Sequence, residues 1–362
     1  MAGCEKLAGA FNLSIRGYDP GVTPIVAEYI KKPGKIAPPQ EVALSLYIQH
    51  ISKLSEMEME ITISFYLRLQ WLDRRLKSKT NRPIRVPKGV LHCLWLPDIY
   101  FMEAKSTGEP EASVFHVDPD GKIIWSRLIS LATRYENDLH VFPFDTLSTR
   151  VQLESYSYGN NTLTFKWLGY MYSPSLSSID FKAHSAIHGI SMKDYSRMSI
   201  DPEDSLFQIA WLELKLRRSP LIALISIYIP ALMIVMASWL AFLLPDSETA
   251  AKLGIGITSL LSLITLTSYA DSKLPKVSYF RGHDLFFGFS FAMMFSSCVV
   301  HVRRKFTILP RSSMLDQSKV SEMNCKLRIR SFSTVSVFVF SLLVFNIVYW
   351  PVVISMSQYA SD

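Results

Sequence analysis

AKLGIGITSLLSLITLTSYADSKLPKVSY, residues 251–279, is the stretch on which the reading of this chain turns. Gly254, Thr258, Leu261, Thr265 and Ser268 recur at steps of four, three, four and three, so they share one face of a helix. Ile255, Ile257, Leu260, Leu263, Ile264 and Leu266 cover the remainder. A hydroxyl stripe broken by a single Leu makes a poor lipid-facing surface. It suits the wall of an aqueous pore, where hydroxyls meet ions and water and a ring of Leu closes the path by dewetting. The spacing alone leaves a second reading open: a buried helix packed through small residues.

Three further apolar runs surround this one. The four fall at about 221–244, 253–268, 285–300 and 332–354. A run of about 20 apolar residues spans a ~30 Å hydrocarbon core, and Pro230 inside the first run is tolerated in a membrane helix. Between the third and fourth runs lies a segment, 303–331, with eight Lys/Arg from Arg303 to Arg330 against Asp316 and Glu322. A basic loop between spans belongs to the cytoplasm. Four spans then place both chain ends outside, at the plasma membrane. The net charge of +7 therefore faces anionic lipid rather than nucleic acid. With 49% hydrophobic and only 19% charged residues, the composition excludes a disordered chain and argues against a soluble enzyme.

Residues 1–218 read differently from residues 219–362. Alternating patterns predict strands at Val42–Ile48, Met57–Leu69, Ser113–Val117, Lys122–Leu131, Val151–Ser157, Thr162–Trp167 and Phe207–Arg217. Turn signals at 118–121 and 159–161 punctuate them, which predicts an all-β sandwich. Asn12 and Asn160 head glycosylation sequons. Residues 1–18 read as a short amphipathic helix rather than a signal peptide; an extracellular N-terminal half implies that a leader has been removed. Cys4, Cys93, Cys298 and Cys325 have no metal-site spacing, and a Cys4–Cys93 bridge is neither forced nor excluded. His184 and His188, four apart, are a weak pair in what reads as a binding loop. There is no G-x-S-x-G, no H-E-x-x-H and no dinucleotide loop, so neither an enzyme, a cofactor nor a metal is expected.

Beyond the fourth residue of its linker, the opening stretch carries a resemblance. Lys273-Leu-Pro-Lys-Val-Ser-Tyr279 is similar to the segment after the pore helix in pentameric ligand-gated ion channels, the Cys-loop receptors, and in particular their GABA/glycine branch. Trp95-Leu-Pro-Asp-Ile-Tyr-Phe101, Asp138-Leu139 with Phe142-Pro143-Phe144-Asp145, and Glu154-Ser155-Tyr156 resemble other family segments in the right order. The resemblance covers the chain from about Tyr18 to the last span. It implies an extracellular ligand-binding sandwich (1–218), a four-helix transmembrane domain (219–362), and five subunits around an axial pore lined by the second helix. One departure is prominent: Tyr135 and Thr149 stand where the family's signature cysteines are expected, so that disulfide cannot form. In the chain-entropy model, its loss removes roughly 3 kcal/mol of constraint on a loop of about 15 residues.

The same resemblance assigns roles. Tyr100, Glu154, Ser155, Tyr156 and Phe207 belong to one ligand-binding face, where aromatic rings attract an ammonium group. Tyr66, Arg68 and Ser126 belong to the facing surface of a neighbouring subunit, with Arg68 offering a planar fork to a carboxylate. The implied agonist is a small amine or amino acid, and one chain carrying both faces implies a homopentamer, with a hetero-oligomer as the alternative. Ala251, Gly254, Thr258, Leu261, Thr265, Ser268 and Asp271 line the pore. Glu56, Glu58, Phe142, Pro143, Phe144, Asp145, Arg218 and Lys276 form a gating layer, with acid–base contacts expected among Glu56, Glu58, Arg218 and Lys276. Selectivity signals are mixed. Ala251 before Lys252 resembles anion channels, whereas Ala250 and Asp271 depart from them. Chloride is favoured; a cation channel, or an auxiliary subunit that conducts only in a hetero-oligomer, remains open.

Overall fold

The computed structural model describes residues 9, 13–15, 17–30, 32, 34–78, 82–102, 104–108, 112–173, 176, 181–195, 205–245, 248–312 and 317–361. The chain forms two compact units. The first holds residues 1–55, 59–136 and 148–216; the second holds residues 56–58, 137–147 and 217–362.

The first unit is a β-sandwich. Strands β1 (Leu13–Ser14), β2 (Gln40–Ser55), β3 (Glu60–Leu72), β4 (Lys77–Ser78), β5 (Ile84–Val86), β6 (Ile99–Met102) and β7 (Ala104–Thr107) come first. They are followed by β8 (Ser113–Val117), β9 (Lys122–Arg134), β10 (Glu136–Asn137), β11 (Thr146–Ser155), β12 (Leu163–Tyr172), β13 (Phe181–Asp194) and β14 (Leu206–Arg218). One sheet runs β12-β2-β3-β9-β8-β5, with β7 also on β9; the other runs β10-β11-β14-β13, with β6 on β11. Alternation explains the inner faces. Ile61, Ile63, Phe65, Leu67, Leu69 and Trp71 are all buried along β3, and Ala210, Leu212, Leu214 and Leu216 along β14. β3 and β9 pair without a slip from Glu60–Arg134 to Leu72–Lys122.

Several expectations need correction. Glu56–Met59 is a turn, with Met59 at φ 50°, so the strand begins at Glu60 rather than Met57. His184 and His188 lie on a regular strand, and His188 packs edge-on against Trp167 and Tyr170 at 5.2 and 5.1 Å. Of the predicted N-terminal helix, Leu13–Ser14 instead pairs with Lys77–Ser78 as strand, while Cys4 and Asn12 lie outside the described residues. Cys93 is disulfide-bonded.

Among the described residues, the second unit contains four apolar helices, of 24, 23, 23 and 26 residues over their membrane-length segments. At 1.5 Å per residue each is roughly 35–39 Å long, enough to cross a bilayer. We label them α1 (Pro220–Leu243), α2 (Thr249–Asp271), α3 (Gly282–Ser312) and α4 (Gln317–Ser361). α1 widens to a π-turn over Leu224–Tyr228, just before Pro230. Proline has no N–H to give Ser226 and its ring crowds that carbonyl, so the helix relaxes there. α3 and α4 run through much of 303–331, so most of the segment read as a loop has a helical backbone.

The helices pack around Tyr228, Phe286, Phe287, Met294, Leu263 and Tyr349. α2 presses Lys252, Gly256, Ser259, Leu263 and Ala270 inward. A methyl on Gly256 would lie 2.5 Å from Cys298 Sγ, so glycine is what lets α2 approach α3 there. Gly282 has the same role at the head of α3, where a methyl would meet the Phe142 carbonyl oxygen at 2.6 Å.

Candidate functional site

In the sandwich, β6 and β11 pair so that Tyr100 faces Glu154 across the ladder. Tyr100 donates its hydroxyl to Glu154 Oε2 at 2.7 Å, and Tyr195 donates to the same oxygen at 3.1 Å. Burial pushes the Tyr100 phenol well above its usual pKa, and the Glu154 carboxylate adds to the rise. Glu154 is 1% exposed, yet its Oε1 has no hydrogen-bond partner. Each of the two tyrosines that hold the carboxylate packs against a further ring. Tyr156 meets Tyr100 edge-on at 5.8 Å, and Phe207 meets Tyr195 edge-on at 5.5 Å. The arrangement is an acidic group in an aromatic box with one oxygen left over, which is what an ammonium group needs.

Ser155 is not part of that box. Strand alternation turns it the other way, where it is buried and donates to Asp98 Oδ1 while accepting from Tyr158 N at 3.0 Å. Asp98 Oδ2 also accepts from Ser157 N at 2.7 Å. Ser155 thus ties the segment carrying Tyr156 to the Asp98 loop. Asn160 is half-buried in the turn before β12.

On the other sheet, Tyr66, Arg68 and Ser126 gather on one outer face. Arg68 stands directly opposite Ser126 in the β3–β9 register, and the Tyr66 ring lies 6.2 Å from Tyr47 on β2. Arg68 is exposed and forms no ion pair among the described residues. Arg127 faces the opposite way, into the sandwich beside Leu67, with its guanidinium 4.0 Å above the Trp125 ring. Its Nε and Nη2 are buried without partners, and burial lowers its pKa to about 10.

The second unit holds the remaining residues. Arg218 Nε donates to Asp145 Oδ1 at 2.6 Å, and its Nη2 to Asp145 Oδ2 at 3.1 Å. The same guanidinium grips Glu56 at 3.0 and 2.6 Å. Burial acts to lower the Arg218 pKa, but Asp145 and Glu56 outweigh it and the net shift is upward. Two of the expected partners are elsewhere. Glu58 is exposed because the turn at Glu56–Met59 points only Glu56 at Arg218, and Lys276 is exposed with no ion pair among the described residues. Asp145 completes the cluster instead.

Phe142 and Pro143 are buried and joined by a cis peptide; Phe144 packs edge-on against Trp350 at 6.2 Å. Tyr279 stacks on His140 at 4.1 Å and accepts from Leu139 N at 3.2 Å. In α2, Ala251, Gly254, Thr258, Leu261, Thr265 and Ser268 are all exposed along one face, opposite the buried Lys252–Ala270 side. The Thr265 and Ser268 hydroxyls donate to the carbonyls of Ser262 and Ile264. Asp271 is not bare: Arg281 donates to its Oδ1. Asp271, His283 and Asp284 come within 4.8 Å of one another in a metal-like cluster, but Arg281 already occupies both carboxylates.

Residues missed in the sequence follow a pattern. Tyr195, Tyr47, Tyr279 and Arg281 act through contacts set by how strands and linkers fold together. Tyr279 and Asp98 lay inside quoted motifs; Tyr47 and Tyr195 had only their position on or beside a strand as a signal.

A sandwich with an acidic, aromatic cluster is thus followed along the chain by apolar helices long enough to cross a membrane, one of which keeps a hydroxylated face exposed. Residues 13–220 match the family model for the neurotransmitter-gated ion-channel ligand binding domain, and residues 227–330 that for the neurotransmitter-gated ion-channel transmembrane region. The chain belongs to the neurotransmitter-gated ion-channel family, whose members are not enzymes. It is similar to the gamma-aminobutyric acid receptor subunit rho-3 of Homo sapiens, 26% identical over 307 residues that cover 82% of this chain and 65% of that one. It is also similar to the subunit pi of Bos taurus, 27% identical over 311 residues, 84% of this chain and 70% of that one. A third relative, the subunit rho-2 of Rattus norvegicus, is 26% identical over 276 residues, 75% of this chain and 59% of that one. The chain thus spans somewhat under two-thirds of the length of the rho relatives.

Proposed function

We propose that this chain is a subunit of a pentameric ligand-gated channel whose agonist is a small amino acid bound between two subunits. The observation that carries the reading is Glu154: a buried carboxylate, held by Tyr100 and Tyr195 with Tyr156 and Phe207 packed on those rings, and with one oxygen unpartnered. An ammonium group there gains a charge-assisted hydrogen bond and cation–π attraction of ~0.5–2 kcal/mol per ring. Arg68, exposed on the other sheet, supplies the fork for a carboxylate. Among the described residues no hydrogen bond or ring contact joins the two faces within one chain, which supports a ligand bridging two copies. The relatives are named as receptors for gamma-aminobutyric acid, a ligand with one ammonium and one carboxylate.

The pore follows the free face of α2, with Leu261 as the apolar closure. Arg218, Glu56, Asp145, Phe142, Pro143, Phe144 and Tyr279 form the layer through which the strands act on the helices. Chloride is the permeant ion this reading favours, since the residue before Lys252 is Ala251 and not a carboxylate.

The test is expression in oocytes with a panel of amino-acid and amine agonists, reversal potentials being read at two chloride concentrations. A reversal potential that follows chloride supports the reading; one that follows sodium makes this a cation channel. Glu154→Gln and Arg68→Ala are each expected to weaken potency at least about tenfold, because each leaves a charged ligand group unpaired. Unchanged potency in both sinks the amino-acid site. Current only with a co-expressed relative makes the chain an obligate partner in a hetero-oligomer.

A further inference from the structure

Asp271 ends the α2 helix, three residues past Ser268 on the exposed face. In an assembly around that face, five such carboxylates would ring the outer mouth. A ring of negative charge attracts cations and repels chloride, which conflicts with the uncharged inner end at Ala251. The side-chain geometry lessens the conflict. Asp271 Oδ1 accepts from Arg281 Nη2, and Arg281 comes from the residue just before α3.

Arg281 is held independently of Asp271. Its Nε donates to Asp284 Oδ2 at 3.1 Å, its Nη2 to Asp284 Oδ1 at 2.9 Å, and its backbone N–H to Asp284 Oδ2 at 2.9 Å. The guanidinium is 13% exposed, whereas the Asp271 side chain is 45% exposed. The cation is therefore the fixed member and the carboxylate the accessible one. His283 completes the cluster. It is buried, with Nε2 3.5 Å from the nearest oxygens of both carboxylates.

We infer that Arg281 is a charge-selectivity determinant of the pore: shared between Asp271 and Asp284, its guanidinium offsets one of the two carboxylates that each subunit brings to the outer mouth. This rests on the reading of α2 as the pore wall. An ion approaching the mouth meets one net negative charge per subunit instead of two, and the exposed carboxylate, Asp271, stands already paired. The tether to Asp284 keeps the cation in place while the outer end of α2 moves, so the offset does not depend on Asp271 holding one rotamer. Loss of Arg281 leaves two unopposed carboxylates per subunit; loss of Asp271 leaves a neutral Arg281–Asp284 pair.

The experiment is a double-mutant cycle on the full chain in oocytes, reading the chloride-to-sodium permeability ratio and the unit conductance. Arg281→Gln is expected to lower the permeability ratio by about threefold or more, and Asp271→Asn to raise chloride conductance, because the first leaves two unopposed carboxylates per subunit and the second leaves a neutral Arg281–Asp284 pair. The pair Arg281→Gln with Asp271→Asn should return close to the wild-type ratio. Should Arg281→Gln fail to reach the surface because Asp284 has lost its partner, Asp271→Asn carries the test alone. Thr258→Cys distinguishes the two levels of the argument. If a charged thiol reagent blocks that variant but the Asp271 and Arg281 variants keep the wild-type ratio and conductance, the inference about Arg281 is overturned and the pore reading stands. If the reagent has no effect on open channels, α2 is not the pore wall and both fall.

Discussion

Replacing Arg218 by Met should damage the second unit more than any other single change at a charged residue in it. The guanidinium makes four charge-assisted hydrogen bonds, two to Asp145 and two to Glu56. Asp145 is fully buried, and without Arg218 only Asn137 Nδ2, at 2.7 Å, would still donate to its side chain among the described residues. Breaking a buried pair by removing one partner costs ~3–5 kcal/mol, because the other charge stays unsolvated. Glu56 is partly exposed and can rehydrate, so the penalty falls mainly on Asp145. For a unit of this size, that is a fall in melting temperature of roughly 6–20 °C. Thermal unfolding of the detergent-solubilised protein reads it directly. Asp145→Asn in the Arg218→Met background removes the stranded charge, so the double variant should recover part of the loss. Arg218→Lys keeps the charge but not the fork and should lie between. A melting temperature within about 2 °C of wild type for Arg218→Met would refute the argument, as would strict additivity in the pair. At the functional level, the stable Arg218→Lys variant should open poorly while binding agonist normally.

Three further outcomes are expected. Leu261→Thr or Leu261→Ser should wet the apolar closure and leave a standing current without agonist; a normal resting current with normal potency would mean the pore face is misassigned. Tyr135→Cys with Thr149→Cys should oxidise spontaneously, since Thr149 Oγ1 already donates to the Arg134 carbonyl at 3.2 Å and both positions are buried. The bridge should add up to ~3 kcal/mol, less the void left by the Tyr ring, and free thiols in folded protein would show that the loop ends do not meet. Arg127→Met should raise the melting temperature, because its Nε and Nη2 are buried without a partner and a desolvated, unpaired charge costs stability; a clear fall would mean that the guanidinium has an acceptor in the assembled protein.

What was legible in the sequence depended on local period. β3 could be read because six inner residues, Ile61 to Trp71, alternate without a break. β13 could not, because after Phe181 no position is buried and no apolar face marks it as strand. The free face of α2 was legible for the same reason as β3: its hydroxyls keep helical spacing. Side-chain direction in turns and linkers was not. Glu56 and Glu58 look equivalent in the sequence, yet the positive φ at Met59 closes a turn that sends only Glu56 to Arg218. Lys276 and Arg281 are both cations in one linker, and only its fold-back onto α2 decides which of them reaches Asp271. Tyr195 acts on Glu154 across 41 residues, a contact that no spacing encodes.

The boundary between the two compact units does not follow the boundary between sandwich and helices along the chain. Residues 56–58 and 137–147 belong with 217–362. Anyone building chimeras from this family should therefore treat the membrane part as three pieces of chain rather than one. A graft that joins a foreign sandwich to these helices at residue 218 would import foreign versions of both short segments and leave Arg218 facing carboxylates it did not evolve beside. Carrying Glu56–Glu58 and Asn137–Leu147 along with the helices keeps the donor's own recognition elements intact, and places the splices at 136/137, 147/148 and 216/217 in strands, where backbone hydrogen bonds are indifferent to side-chain identity.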